Sequence, residues 1–586
     1  MTREDVAYFP LSLAQEGMWL AHQITPTSAA YNVPYLLGLT GPVQKEFLAR
    51  ALADIIARHE ILRTTFAFQD NSMVQVVTDT LPLPYGERDF RNTPDPAAAM
   101  RQFATEEARC LFDLATGPLI KVWLLQTGEE NHQLLLVLHH MICDGWSMEV
   151  FLQELSELYT SYSEARTHHL SPLPIHYADF AVWERQWLQG AVRDARVTYW
   201  QQTLAGAPAL LTLATDYPRP PVQTLQGADY LLELPCELAE RLVVLGQSEQ
   251  CTLFMTLLAA FQATLYRWTG QSDIVIGSPM ANRTRPELQK LIGLFTNMLP
   301  LRNQLAPDLA WRQLLQQTHT AVLAASAHQE LPFEELVKAV QPARSAGASP
   351  CFQVAFSLQQ SDQETLCLPG IEVKTLDLHN GTSKFDLTLH MHYTPDRFTG
   401  TLIYNTSLFA ASTIQHLAAY IQAVLEYVAE HPDAHIAALP SPPQRPETSH
   451  LPHTSVPEAM PPQEAPEAPA SASQHALEQI IVEIWQRVLG FSEIEMQDNF
   501  FDLGGYSLLM IQVQRQLQEV LQIQIPLTDL LRFPTIQTLA TFLSQGFDEV
   551  PALLQRRERG RARDEALHQQ RARRQAQHPR HGGTHE

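Results

Sequence analysis

Two short stretches of this 586-residue chain carry residues whose types and spacing could do chemistry. In the first, Leu134-Leu-Leu-Val-Leu138-His139-His140-Met-Ile-Cys143-Asp144-Gly145-Trp146-Ser147, two histidines and a carboxylate follow directly on an apolar run. In the second, Leu503-Gly504-Gly505-Tyr506-Ser507, a hydroxyl follows a glycine pair. A helix opening at that serine would aim free N–H groups and its positive dipole end at the hydroxyl, a setting that suits a phosphodiester. Each stretch also has a plain structural explanation. A histidine beside an apolar strand is commonly a hydrogen-bonded core residue, Asp144-Gly145 is an ordinary turn signal, and a serine after two glycines is a good helix N-cap.

The elements that must position these residues are legible in the local pattern. The run Leu134–Leu138 is too short for a helix and is bracketed by polar residues, so it reads as a buried strand that ends in a polar, glycine-containing loop. After the loop, Ser147 can cap a helix whose apolar positions Met148, Val150, Phe151, Leu155 and Leu158 recur at helical spacing. Strand, loop and helix would hold His140 firmly. Ahead of the second stretch, Leu477, Ile480, Ile481, Ile484, Trp485 and Val488 mark one face of an amphipathic helix that stops at Gly490. A second helix follows Ser507, and Phe533-Pro-Thr-Ile536 with Leu539, Ala540 and Leu543 supplies a last one. About 70 residues of short helices make a small bundle with little core.

Length predicts more than one domain, and 45% apolar residues is ample for large cores. A net charge of −23 argues against nucleic acid and anionic membrane as partners of the main body. The sign reverses at the end, where residues 551–586 hold nine arginines against four acids and carry +5, leaving −28 on everything before. Six scattered cysteines without a CxxC pair or a secretory signal point to reduced thiols in a cytoplasm. No apolar run approaches the roughly 18 residues that span a bilayer, and no metal site is expected. Ten prolines from Pro440 to Pro469 make the segment up to about Gln474 an extended, semi-rigid tether. A tether implies something that must travel, and the helical bundle is the traveller.

The histidine stretch resembles the HHxxxDG motif of the condensation domains of non-ribosomal peptide synthetases, and the wider family of acyl-CoA-dependent acyltransferases with a histidine-x-x-x-aspartate core. Other blocks match that family's motifs in its own order. Leu11-Ser12-Leu-Ala-Gln15-Glu16-Gly17-Met18-Trp19 has Gly17 where an arginine is frequent, so no contact of that arginine carries over. Arg58-His59-Glu60-Ile-Leu-Arg63-Thr64-Thr65-Phe66 starts as a helix and ends as a strand. Tyr177–Trp183, Ile292–Asn297 and His328–Glu334 resemble later motifs. Asp273–Arg283 reads as a buried strand broken by a turn at Gly277 and Pro279. At the seventh position the turn around Arg344, Ser345 and Ala346 departs from the family's arginine–aspartate pair, although the strand Phe352–Phe356 follows as expected. Lys384–Leu389 and Leu402–Thr406 alternate as strands, and a helix from about Ser412 to Glu430 closes the unit.

The resemblance implies an α/β fold made of two chloramphenicol-acetyltransferase-like subdomains, residues 1–175 and 176–439, with a tunnel between them and the histidine loop at its middle. A proline-rich linker, 440–474, would lead to a small all-α four-helix carrier domain, 475–548, and then to a basic tail, 549–586, either disordered or a docking helix. The second stretch resembles peptidyl carrier domains, whose LGGxS motif has His or Asp where this chain has Tyr506; Asp498-x-Phe-Phe-Asp502 upstream and Pro-Thr-Ile downstream also match. This implies 4′-phosphopantetheine attached covalently to Ser507.

For amide formation the resemblance makes His140 the catalytic residue, as general base toward the attacking amine, as the group that positions it, or as a stabiliser of charge in the tetrahedral intermediate. His139 would anchor the loop and Gly145 would permit its turn. Asp144 would be structural, with Arg283 the candidate partner. The function implied is a condensation–carrier subunit that joins an upstream acyl thioester to an aminoacyl group on its own carrier. With no segment resembling an adenylation domain, loading would come in trans. The partners are then a separate adenylation enzyme, an upstream donor carrier protein, a phosphopantetheinyl transferase and a downstream synthase subunit. Transfer of the acyl group to a soluble amine or alcohol, and a non-catalytic recruitment platform, are the alternatives.

Overall fold

The computed structural model describes residues 6–443, apart from 70–71, 83, 343–346 and 361–365, and residues 472–546, apart from 492, 501–502, 504–506, 524, 526–528 and 531–532. The turn at Arg344, most of the proline-rich tether and the whole basic tail therefore lie outside the described residues. By their contacts the residues divide into two units, Met1–Leu451 and Pro452–Glu586.

The first unit begins with β1 (Val6–Pro10), α1 (Leu13–Ile24), β2 (Asn32–Thr40), α2 (Lys45–Arg58), β3 (Thr64–Gln69), β4 (Ser72–Thr78), β5 (Tyr85–Asp89), α3 (Pro96–Ala108), β6 (Ile120–Gln126), β7 (Asn131–His139) and α4 (Gly145–Ser163). Two helices, α5 (Tyr177–Trp187) and α6 (Gly190–Thr203), lead onward. The remainder comprises β8 (Gly227–Leu234), α7 (Cys236–Ser248), α8 (Leu253–Thr269), β9 (Asp273–Met280), β10 (Asn297–Gln304), α9 (Trp311–Ser326) and α10 (Phe333–Val340). It ends with β11 (Val354–Gln360), β12 (Glu372–Leu376), β13 (Leu387–Thr394), β14 (Arg397–Asn405) and α11 (Ala411–Glu430).

The described strands form a small sheet in the order β1-β4-β3, a five-stranded sheet β12-β2-β7-β6-β5 and a six-stranded sheet β10-β9-β11-β13-β14-β8. The two large sheets do not part at one point in the chain. β12, from the second half, pairs antiparallel with β2, Glu372 opposite Thr40 through Leu376 opposite Leu36, and so joins the first lobe.

β7 is the centre of that first sheet, with β2 on one side and β6 on the other. Leu134 through Leu138 are all fully buried, which is why the strand reads as a continuous apolar run rather than an alternating one. Each such side chain stabilises by about 1.5–3 kcal/mol as an upper estimate, so the strand fixes the start of the loop that follows it. At the far side of the loop, α4 opens at Gly145 with Asp144 as its N-cap, not Ser147. The carboxylate of Asp144 reaches the Ser147 N–H three residues on, and the Ser147 hydroxyl turns back to donate to the same oxygen at 2.6 Å. Serine and aspartate cap equally well, and here the earlier residue takes the position. The apolar stripe Met148, Val150, Phe151, Leu155 and Leu158 is buried as its spacing requires.

In the second lobe β9 runs unbroken through Gly277 and Pro279, against the turn expected there, pairing with β10 along its whole length. Its only bridge to β11 is Ala355 to Gly277, so Pro279 lies past the last residue paired on that side and its missing N–H leaves no β11 pairing broken. β13 starts at Leu387, which leaves Lys384 in the segment before it. Among the described residues no single helix is long and apolar enough to cross a membrane; α7 and α8 reach the length only as a pair bent by 101°, and both pack in the core of this lobe.

In the second unit the described helices are α12 (Ala472–Leu489), α13 (Ser507–Leu521) and α14 (Ile536–Gly546). Leu477, Ile481 and Trp485 of α12, Val513 and Leu517 of α13, and Leu539 and Leu543 of α14 are completely buried. Trp485 meets Phe500 edge-on at 4.9 Å, and Gly490, at φ +78°, ends α12 in the left-handed conformation that stops helices.

Candidate active site

The loop between β7 and α4 is pinned from several directions. The His140 N–H donates to the Tyr31 carbonyl at 2.8 Å, and Gln15 Nε2 donates to the Met141 carbonyl at 3.0 Å. His139 is buried; its Nδ1 accepts the Met141 N–H at 3.1 Å while its carbonyl accepts the Ile142 N–H at 3.0 Å. Burial pushes the His139 ring down to about 3, with His22, His140 and Lys384 adding positive charge nearby. This histidine is a neutral hydrogen-bond acceptor that shapes the loop.

His140 is placed differently. Burial holds its ring well below the usual histidine range and Lys384 lowers it further, outweighing Asp144 and the nearby backbone, so it is neutral near pH 7. Its Nδ1 is sealed from solvent without a hydrogen-bond partner among the described residues, while Nε2 is neither sealed nor bonded. The ring is therefore crowded by protein yet open at the nitrogen a substrate could reach. Burial likewise lowers Lys384 and His390, although neither residue is shut off from solvent.

Asp144 faces away from this opening. It is fully buried, and its Oδ1 accepts from the Ser147 N–H, the Ser147 hydroxyl and Arg283 Nη2 at 2.8, 2.6 and 3.0 Å. Its Oδ2 accepts from the N–H groups of Phe295 and Thr296 at 3.0 and 3.1 Å. Burial raises the carboxyl, but Arg283 and the hydrogen bonds from Ser147 and Phe295 together outweigh it and leave Asp144 below the usual carboxylate range. Arg283, its side chain 1% exposed, also donates to the carbonyls of Leu288 and Leu291 and lies against the Phe295 ring at 4.1 Å. The pair thus ties the start of α4 to the 288–296 loop of the second lobe.

Gly145 does not serve the turn expected of it. It is the first residue of α4, its φ is not positive, and a Cβ built there meets nothing within 4 Å. The space beside its Cα is open. Gly17 is the reverse case: a Cβ would fall 2.0 Å from Cδ and Oε1 of Glu334, so that carboxylate fills the place of the missing arginine. Burial pushes Glu334 up to about 7.

The remaining motif residues hold the elements together. His59 and Arg58 both reach Glu154 of α4 at 2.9 Å. Ser12 and Tyr177 share a hydrogen bond at 2.8 Å, and the Tyr177 hydroxyl donates to the Leu294 carbonyl at 2.6 Å. Asn297 donates to the carbonyls of Gln329 and Leu331 and accepts the Phe333 N–H at 3.0 Å, joining two motifs at α10. Reading the sequence missed Tyr31, which no local pattern marks, and Lys384, which it took for a strand residue although the block Lys384-Phe385-Asp386 was the available signal. In that block Arg219 holds Asp386, Nη1 to Oδ1 at 3.0 Å.

Ser507 stands in the other unit, where α13 opens at this residue; Gly504, Gly505 and Tyr506 lie outside the described residues. A helix N-terminus fits a phosphodiester through its free N–H groups and dipole.

Comparison with known proteins agrees with this architecture. The model of the condensation-domain family matches residues 7–449, and that of the phosphopantetheine attachment site matches residues 479–543. The chain belongs to the condensation-domain family, whose members in peptide synthetases are acyltransferases that form amide bonds, and it continues into a carrier domain of the kind that bears 4′-phosphopantetheine covalently on a serine. It is 42% identical over 435 residues to one of the linear gramicidin synthase proteins of Brevibacillus parabrevis, covering 74% of this chain but 6% of that protein. It is 38% identical over 459 residues to the phosphinothricin tripeptide synthetase PhsC of Streptomyces viridochromogenes, covering 78% of this chain and 42% of that one. The crystal structure of the X-domain from teicoplanin biosynthesis superposes with a TM-score of 0.66 at 26% identity, over 75% of this chain and 98% of that domain. The chain thus spans 6% and 42% of the length of these two synthetases.

Proposed function

We propose that this chain is a condensation–carrier part of a non-ribosomal peptide, or hybrid peptide–polyketide, assembly line. It forms an amide bond between an upstream acyl thioester and an aminoacyl group presented by its own carrier unit, which a separate adenylation enzyme loads in trans. The observation that carries this reading is the neutral His140 ring with Nε2 open, on a loop that Asp144 and Arg283 lock from behind.

His140 accepts a hydrogen bond from the attacking amine and turns its lone pair toward the acyl carbonyl. A free α-amine, with a pKa of about 7.7–8.0, already has roughly a tenth of its molecules neutral near pH 7, so the ring has to orient more than it has to deprotonate. Alignment of the two reactants supplies much of the rate. His139 keeps the loop's shape, Asp144 with Arg283 keeps its place, and Gly145 keeps the approach to the ring clear. Ser507 is the attachment residue, because α13 opens at it. When bound, the 4′-phosphopantetheine arm supplies a terminal thiol that carries acyl groups as thioesters. A phosphopantetheinyl transferase installs it, an upstream carrier protein delivers the donor, and a downstream synthase subunit takes the product.

Intact-protein mass spectrometry tests this directly. After incubation with coenzyme A and a broad-specificity phosphopantetheinyl transferase, wild type gains one arm and Ser507→Ala gains none. With the amine loaded and the donor supplied, the lengthened acyl group stays on the carrier. Release of the product into solution would point instead to an acyltransferase for soluble amines or alcohols. Pathway output unaltered by His140→Ala would point to a recruitment platform.

A further inference from the structure

We propose that Lys384 is a second catalytic residue of the acyl-transfer site, its ammonium stabilising the oxyanion that develops on the acyl carbonyl while His140 orients the amine. The inference rests on the function proposed above. Lys384 stands just ahead of β13 in the second lobe, and its Nζ lies 5.4 Å from the centre of the Tyr31 ring, within cation–π range. The carbonyl of the same Tyr31 accepts the His140 N–H. One residue therefore carries the histidine of the first lobe on its backbone and the lysine of the second against its ring.

Three further observations separate this lysine from a structural one. Among the described residues its Nζ makes no ion pair or hydrogen bond, yet it is not sealed from solvent. The nearest acid in its own block, Asp386, is already held by Arg219. Its charge acts on His139, His140 and His390 alike, lowering all three. Burial pushes Lys384 itself down to about 8, so the group remains mostly charged near pH 7.

Such a cation has a task in acyl transfer. The amine nitrogen forms the new C–N bond, and the carbonyl π pair moves onto oxygen. When the pair returns, the C–S bond breaks, the thiolate leaves and takes up a proton, and the proton lost by nitrogen passes to His140 Nε2 or to water. The negative oxygen exists only between these events, and a preplaced charge out of bulk water is worth far more to it than the same charge in water.

The test uses Lys384→Met and Lys384→Arg in the full chain. Lys384→Met is expected to lower kcat by about 10²–10³ with KM little changed, as removal of an oxyanion donor does, and Lys384→Arg to recover part of the loss. NMR titration of the His140 ring in Lys384→Met should move up, which checks that the charge stands beside the ring, while the loss confined to kcat and its partial recovery in Lys384→Arg are what a merely structural lysine would not show. Wild-type kcat in Lys384→Met, or a loss of kcat that follows a fall in Tm with the His140 titration unmoved, would overturn the proposal. If wild type forms no carrier-bound amide, the underlying reading fails separately. The lysine is then judged on acyl transfer to a soluble amine, where the same loss is expected.

Discussion

The histidine loop and the start of α13 each present a reacting group at the end of a secondary-structure element, yet they are held in opposite ways. His140 is fixed by groups scattered along the first unit: Gln15 and Tyr31 on one side, Arg283 and the Phe295–Thr296 backbone on the other. Ser507 is placed by the helix that it opens. The difference follows from the tasks. A group that orients an amine against a carbonyl has to be placed to a fraction of an ångström, whereas a group that bears a long arm has only to be exposed and reachable.

The sharpest way to break this contrast is to unlock the loop. Asp144→Ala leaves the Arg283 guanidinium buried without its counter-charge, a change that costs about 3–5 kcal/mol. Thermal melting of the full chain should show a large fall in Tm. Ser507→Ala, by contrast, should melt as wild type does. Equal stability of the two variants would remove the distinction between an over-determined site and a local one.

A middle-sized effect concerns pH. Because the folded state holds His140 below its ordinary value, lowering the pH through 6.5 does not charge it, and the acid limb of amide formation belongs to the amine, at about 7.7–8.0 for an α-amine. A less basic nucleophile such as an O-alkylhydroxylamine should carry the limb down with its own pKa. A limb fixed near 6.5 for both nucleophiles would return the titration to His140. For stability the sign is the same as for any histidine buried neutral. His139, at about 3 when folded, contributes stability that is present above its unfolded value of about 6.5 and is lost as the pH falls below it.

The smallest effect sharpens the account of Gly145. If glycine were required by the turn, Gly145→Ala would destabilise. Since the residue is helical and a Cβ meets nothing, Gly145→Ala should instead raise stability by up to about 1 kcal/mol, read as a small rise in denaturation midpoint.

How much of this was legible beforehand depends on the range of the interaction. The strand Leu134–Leu138, the cap at Ser12 and the helix of Leu477 to Val488 are local patterns, and all three read correctly from spacing. What failed were competitions between neighbours: Asp144 took the cap from Ser147, and β9 carried Gly277 and Pro279 where local rules place a turn. The return of β12 to the first sheet and the placing of Lys384 beside Tyr31 are long-range events without local signature. The approach of Arg283 to Asp144, 139 residues apart, came within reach only through resemblance to a family.

The central claim is that the chemistry rests on His140 while the architecture rests on Asp144 and Arg283. The most direct measurement is the single-turnover rate and the Tm of His140→Ala, taken side by side with Asp144→Ala. The account predicts that His140→Ala loses about 10²–10⁴ in rate with a stability change within about 0.5 kcal/mol, since the ring supports little of the fold beyond its own place. An unchanged rate, or a fall in Tm as deep as that of Asp144→Ala, would contradict it.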